Sequence, residues 1–183
     1  MADPQRVFVT ADTHFGHAAI LRLTGRPFES LQAMDEGLIS RWNAKVGPDD
    51  TVWHLGDFSF RAEASPENYR ARLNGRIHLV IGNHDDPGLR ARTDLFESVS
   101  DIVGIKWGKQ RIALCHYPMR DWPGAFRGAW HLFGHEHGRL DEEPLGLSLD
   151  VGVDSHGFAP LALDEVAQLM AQRKPHVGGR EEG

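Results

Sequence analysis

Eight polar side chains in this sequence have the types and spacing to do chemistry at a cation: Asp12, His14, Asp57, Asn83, His84, His116, His135 and His137. They offer carboxylate and amide oxygens and imidazole nitrogens, a donor set suited to divalent Mn, Fe, Co, Ni or Zn. Each stands just past a short apolar run. Val7-Phe8-Val9 leads to Asp12 and His14, Val52-Trp53-His54-Leu55 to Gly56-Asp57, and Ile77-His78-Leu79-Val80-Ile81 to Gly82-Asn83-His84-Asp85. Ile112-Ala113-Leu114-Cys115 runs into His116, and Trp130-His131-Leu132-Phe133 into Gly134-His135-Glu136-His137. Three or four protein ligands complete one site, so a set of this size, with one carboxylate able to bridge, fits two ions. Two metals roughly 3.5 to 4 Å apart are the usual machinery for attack of water on phosphorus.

The elements that must position these residues are legible. The five runs have strand length, β-branched or aromatic enrichment and a Gly or polar stop, so each reads as a buried strand. Side chains just past the carboxyl ends of such strands converge on one crevice. Ser30 can cap a helix with Leu31, Met34, Leu38 and Trp42 on one face, stopped by Gly47-Pro48, and Ser65-Pro66 opens a second that closes at Asn74-Gly75. Ile102 to Trp107, a Gly108-Lys109 turn and Gln110 to Cys115 read as a hairpin, so antiparallel strands join an α/β system. Asp150 to Val153 reads as a late strand, and Asp164 as the cap of a final helix with Val166, Leu169 and Met170 inward.

Composition narrows the field. The chain has 183 residues, enough for one domain over 1–173 with a flexible tail over 174–183. One cysteine, Cys115, excludes an internal disulfide and any thiolate cluster, so it reads as a small core residue. The net charge of −6 argues against a broad nucleic-acid-binding surface. No run approaches eighteen apolar residues, and Met1-Ala2-Asp3-Pro4 lacks the blocks of a signal peptide, so no membrane association and a cytoplasmic location are expected.

At the eight residues the sequence resembles the calcineurin-like metallophosphoesterase superfamily, in particular its small bacterial-type members. The family's ordered blocks are D-x-H, G-D, G-N-H-[DE], an isolated H, and G-H-x-H. They stand here as Asp12-Thr13-His14, Gly56-Asp57, Gly82-Asn83-His84-Asp85, His116 and Gly134-His135-Glu136-His137. The resemblance implies two mixed β-sheets packed as a sandwich flanked by α-helices, and two divalent metal ions, Mn foremost, with Fe, Ni, Co or Zn as alternatives. One would be held by Asp12, His14, Asp57 and His137, the other by Asp57, Asn83, His116 and His135. It implies hydrolysis of a phosphate mono- or diester, in which the two cations share one hydroxide that attacks phosphorus. His84 would face the phosphate or protonate the leaving oxygen, with Asp85 orienting its ring. Many relatives extend the second block to G-D-x-x-D-R. This chain reads Gly56-Asp57-Phe58-Ser59-Phe60-Arg61, so Arg61 falls in place as a phosphate clamp while Phe60 replaces the second acid.

Other residues are weighed against packing roles. His54, His78 and His131 lie within strands and read as core or surface histidines, and Trp42, Trp53 and Trp107 as packing. His17 could reach substrate or simply end a helix. The stretch 117–129 is too long for a tight turn and leaves a ligand strand, so Arg120, Trp122 and Arg127 are candidate substrate-binding residues. The expected partner is a small phosphorylated or nucleotide substrate in an open site, and the oligomeric state is not set by the sequence. The alternatives are a nuclease-type phosphodiesterase on nucleic-acid ends and a noncatalytic scaffold of the same fold.

Overall fold

In the computed structural model, which describes residues 6–141 and 145–175, the apolar runs become strands because each can bury side chains on both faces. The elements in chain order are β1 (Val7–Thr10), α1 (Ile20–Leu23), α2 (Leu31–Lys45), β2 (Thr51–His54), α3 (Pro66–Arg70), β3 (Arg76–Val80) and β4 (Ser98–Ser100). They continue as β5 (Ile102–Trp107), β6 (Gln110–Cys115), β7 (Trp130–Phe133), β8 (Ser148–Asp150), β9 (Leu161–Ala162) and α4 (Leu163–Met170). The first sheet runs β4-β3-β2-β1-β9, parallel except for β9, and the second runs β5-β6-β7-β8, with an antiparallel hairpin followed by parallel pairs. Two mixed sheets with flanking helices is therefore the architecture.

Strand alternation sorts the core into layers. On the first sheet, Phe8, Val52, Ile77 and Leu79 point outward and pack under Met34, Leu38 and Trp42 of α2. Val9 and Val80 point the other way, against Ile112, Leu114, Leu132 and Leu149 of the second sheet. α2 begins where Ser30 Oγ accepts from the Ala33 amide at 3.1 Å, the cap that its sequence announces. The buried indole of Trp42 donates to the Asn74 carbonyl at 3.0 Å, tying α2 to the turn before β3.

Three element boundaries differ from the sequence reading. α3 ends at Arg70, before Asn74-Gly75. The late strand is Ser148–Asp150, and the backbone from Val153 to Ser155 is a 3-10 turn. α4 starts at Leu163 with Ala162 as its cap residue, and it is Glu165, not Asp164, whose carboxylate accepts from the Ala162 amide at 2.7 Å. Of the expected tail, residues 176–183 lie outside the described residues.

Candidate metal centre

The carboxyl ends of β1, β2, β3, β6 and β7 meet along the seam between the two sheets, which brings Asp12, His14, Asp57, Asn83, His116, His135 and His137 together. Five of these seven have left-handed backbones: Asp12 (φ 58°), His14 (51°), Asp57 (55°), His135 (72°) and His137 (51°). That conformation costs side-chain-bearing residues roughly 1–3 kcal/mol each, and such strain gathers at functional sites. Glycines make the close approach possible. A Cβ at Gly82 would lie 2.2 Å from Asp57 Oδ1, and one at Gly56, itself at φ 93°, would lie 2.7 Å from His116 Nδ1.

Asp57 sits at the middle of the set. Its Oδ2 lies 3.4 Å from His14 Nε2 and 3.6 Å from His116 Nε2, while its Oδ1 accepts from the His84 amide at 2.8 Å. Asn83 Oδ1 lies 3.0 Å from His116 Nε2 and 2.8 Å from His135 Nδ1. Single ligand atoms from Asp12, His14 and His137 all lie within 4.8 Å of one another, as do those from Asp12, Asp57 and His116. His14 Nε2 is buried and has no hydrogen-bond partner. An orphaned imidazole nitrogen facing a carboxylate oxygen across this gap fits a divalent cation, as does the donor chemistry of the whole set.

The electrostatics agree. Burial raises the Asp12 carboxyl well above its ordinary value, and the nearby charges of Asp150 and Asp57 raise it further; burial raises Asp57 too. Burial pushes His116 down to about 4, and burial with the neighbouring His137 pushes His14 far down. Carboxylates that resist ionising beside imidazoles that resist protonation are what a bound cation relieves.

Hydrogen bonds at the far ring nitrogens fix which nitrogen of His116 and of His137 is left for a cation. His116 Nδ1 donates to the Leu55 carbonyl at 2.8 Å, and His137 Nδ1 donates to Asp154 Oδ2 at 2.8 Å. Arg26, fully buried, donates from Nε and Nη2 to the Asp154 carboxylate, both at 2.8 Å, and from Nη2 and Nη1 to the carbonyls of Asp12 (2.6 Å) and Thr13 (2.9 Å). Sequence reasoning missed Arg26 and Asp154, which are far apart in the chain and carry no motif.

The other expected site residues fall in different places. His84 lies half-buried at the rim, its ring 5.2 Å from that of His14 and 4.4 Å from that of Phe60. Asp85 does not orient that ring. Its buried carboxylate accepts from the amides of Asp57, Phe58 and Gly82, each at 2.8 Å, so it holds the turn that carries Asp57. His17 is buried beside the centre, its Nδ1 3.2 Å from His14 Nδ1. Arg61 is exposed, with its guanidinium 4.9 Å from the Phe60 ring centroid and its backbone at φ 49°.

The 117–129 loop corrects two expectations. Trp122 is buried among Ala113, Ala125 and Ala129 and donates to the Ala129 carbonyl at 2.9 Å, so it packs the loop and offers no face to a substrate. Arg127 is exposed at the opposite end of the sheet. Gln110, the first residue of β6, donates to the Gly128 carbonyl at 2.9 Å, and the length of β6 sets that end about 20 Å from His116. Arg120 is exposed and lines a separate cavity of about 230 Å³ with Met119, Phe133 and Arg173. The residue of this loop that does meet the centre is Tyr117, with its ring 4.9 Å from both His116 and His135.

Comparison with known proteins places this geometry. An uncharacterized protein of Methanocaldococcus jannaschii is 30% identical over 177 residues, covering 93% of this chain and 94% of that protein. The gene 66 protein of Mycobacterium phage D29 is 28% identical over 196 residues, covering 90% of this chain and 95% of that protein. A solved structure, a protein of unknown function from Aquifex aeolicus, shares the fold with a TM-score of 0.71 at 23% identity, over 90% of this chain and 99% of that one. Among the described residues, no helix is long and apolar enough to cross a membrane. The family model for calcineurin-like phosphoesterases matches residues 5–122, and the chain belongs to that family.

Proposed function

We propose that this protein is a phosphoester hydrolase that works with two divalent cations, Mn foremost, on a small phosphorylated or nucleotide substrate. The observation that carries this reading is the position of Asp57 Oδ2 between His14 Nε2 and His116 Nε2, where one carboxylate can serve two sites. Asp12, His14, Asp57 and His137 would hold one cation, and Asp57, Asn83, His116 and His135 the other. When bound, the pair supplies Lewis acidity for attack of water on phosphorus and offsets charge on the phosphoryl oxygens.

The chain's own groups do the rest. Arg26 and Asp154 hold His137 and the Asp12-Thr13 backbone, and Asp85 holds the Asp57 turn. His84, at the rim and not within the ligand set, is placed to hand a proton to the departing oxygen. The exposed Asn83 and half-buried His135 leave the centre open to a substrate.

Elemental analysis of metal-loaded protein should find two cations per chain, and Asp57→Ala should lose both together with activity. His84→Ala should keep both cations and slow hydrolysis by roughly 10² to 10⁴, with a smaller defect for a nitrophenyl ester whose leaving group needs no proton. One cation at saturation, or an active Asp57→Ala variant, would refute the shared-carboxylate centre.

A further inference from the structure

A groove of about 670 Å³ opens directly off the metal centre, walled by the 59–66 loop on one side and the 83–87 loop on the other. Its volume falls within the roughly 300–1,000 Å³ of small-molecule sites. Asn83 and His84 belong to both the groove and the centre, so a substrate whose phosphoryl group meets the cations has room on this side for the rest of itself. We propose, building on the phosphoesterase reading above, that this groove receives the leaving group of the ester and selects a flat, uncharged one, such as a nucleoside, over a second phosphate.

The direction follows from His84. A group that protonates the departing oxygen must stand beside it, so the leaving group lies on the His84 side of the phosphorus. The preference follows from the walls. Phe60, where relatives with the longer motif carry a second carboxylate, stands edge-on to His84 at 4.4 Å and to His17 at 4.8 Å, and Arg61 covers its ring. The Phe60 ring backs the Arg61 guanidinium, and a guanidinium held flat in this way offers its other face for a base or aryl ring to stack on.

Charge in the groove argues against a second phosphate. The groove's lining carries Arg61 with two exposed carboxylates, Glu63 and Asp86, while the Asp85 carboxylate is occupied by its three amides. Asp86 Oδ1 accepts from the Gly88 amide at 2.7 Å, leaving Oδ2 to accept from a hydroxyl such as those of a ribose. At the far end of the groove from the cations, the exposed carboxylates outnumber the one guanidinium, which disfavours an anionic leaving group and suits one that brings donors.

The test compares kcat/KM for adenosine 5′-monophosphate, glycerol phosphate and pyrophosphate, with calorimetric binding of adenosine to the metal-free protein as a readout independent of turnover. The expected order is adenosine ester, then glycerol ester, then pyrophosphate. Phe60→Ala, which removes the ring that backs the Arg61 guanidinium, should lower the ratio of adenosine to glycerol ester about tenfold and weaken adenosine binding by a similar factor, the low end of what losing a stacking platform costs. Glu63→Gln with Asp86→Asn should raise pyrophosphate relative to both esters. Equal loss on all three substrates in Phe60→Ala, with adenosine binding absent or unaltered, would overturn the proposal and leave Phe60 as packing for His84. Failure to hydrolyse any ester with any divalent cation would instead count against the phosphoesterase reading, and adenosine binding and its response to Phe60→Ala would still decide the groove.

Discussion

Replacing Asp154 by Asn changes one atom and leaves a buried cation without its counter-charge. The carboxylate accepts three hydrogen bonds, from Arg26 Nε at Oδ1 and from Arg26 Nη2 and His137 Nδ1 at Oδ2. An amide offers one acceptor oxygen, so its NH₂ group must face a donor whichever way it turns. The Arg26 side chain has no exposed surface and that of Asp154 is 10% exposed. Removing one partner of a buried pair costs about 3–5 kcal/mol, and the small exposure of Asp154 puts this case near 3. For a chain of this size that is a fall in Tm of roughly 6–12 °C. The loss of support for His137 should also weaken cation binding by about 10- to 100-fold. Guanidinium unfolding of the metal-free protein reads the first effect, and competition with a chromophoric chelator reads the second. A stability loss below about 1 kcal/mol would refute the argument from an uncompensated guanidinium, and undiminished cation affinity would refute the role assigned to the His137 bond.

Two further outcomes follow from the packing. Trp122→Ala should cost about 3 kcal/mol or more in urea unfolding while cation stoichiometry stays at the wild-type value, because its ring fills the loop on the outer face of the second sheet. His54 is fully buried and donates from Nε2 to Thr13 Oγ, and burial with the nearby His116 holds its imidazole down to about 3. The unfolded chain takes up this proton near pH 6.5 and the folded chain does not, so the stability His54 contributes is complete above pH 6.5 and lost as pH falls toward 3. Relative to His54→Gln, the wild-type protein should therefore lose about 2 kcal/mol between pH 6.5 and 5, measured by urea unfolding at both pH values; a parallel pH dependence would show that the histidine charges in place.

The strands and their carboxyl-end residues were legible because an apolar run that stops at Gly or Asp leaves little choice of where its polar successors lie. The hairpin from Ile102 to Cys115 was legible for the same reason, its turn marked by Gly108-Lys109. Roles inside the site were harder to read. The family resemblance made Asp85 look like a partner of the His84 ring, yet three backbone amides, which leave no trace in a sequence, claim its carboxylate. Arg26 and Asp154 meet only because β1 and the segment after β8 lie side by side, with the Val153 amide bonded to the Ala11 carbonyl. The 117–129 loop was misread for a topological reason. β6 and β7 are parallel, so a chain that leaves β6 at the metal end must return to the far end before β7 begins. Tyr117 therefore stays at the centre while Arg127 is carried away from it.

That the seven candidate ligands come from both sheets has a mechanical consequence for the proposed centre. Asp12, His14, Asp57 and Asn83 ride on the first sheet, and His116, His135 and His137 on the second, so each pair of half-sites spans the seam. A cation seated there would act as a removable rivet between two layers that are otherwise joined by apolar contact, a few backbone bonds and side-chain bonds such as His116 to the Leu55 carbonyl and the His135 amide to Asp12. Chelation should then loosen the sandwich from its carboxyl-end rim inward, with amide exchange rising first at Gly134 and His135 and last at the backbone amides of core residues such as Val9 and Leu132.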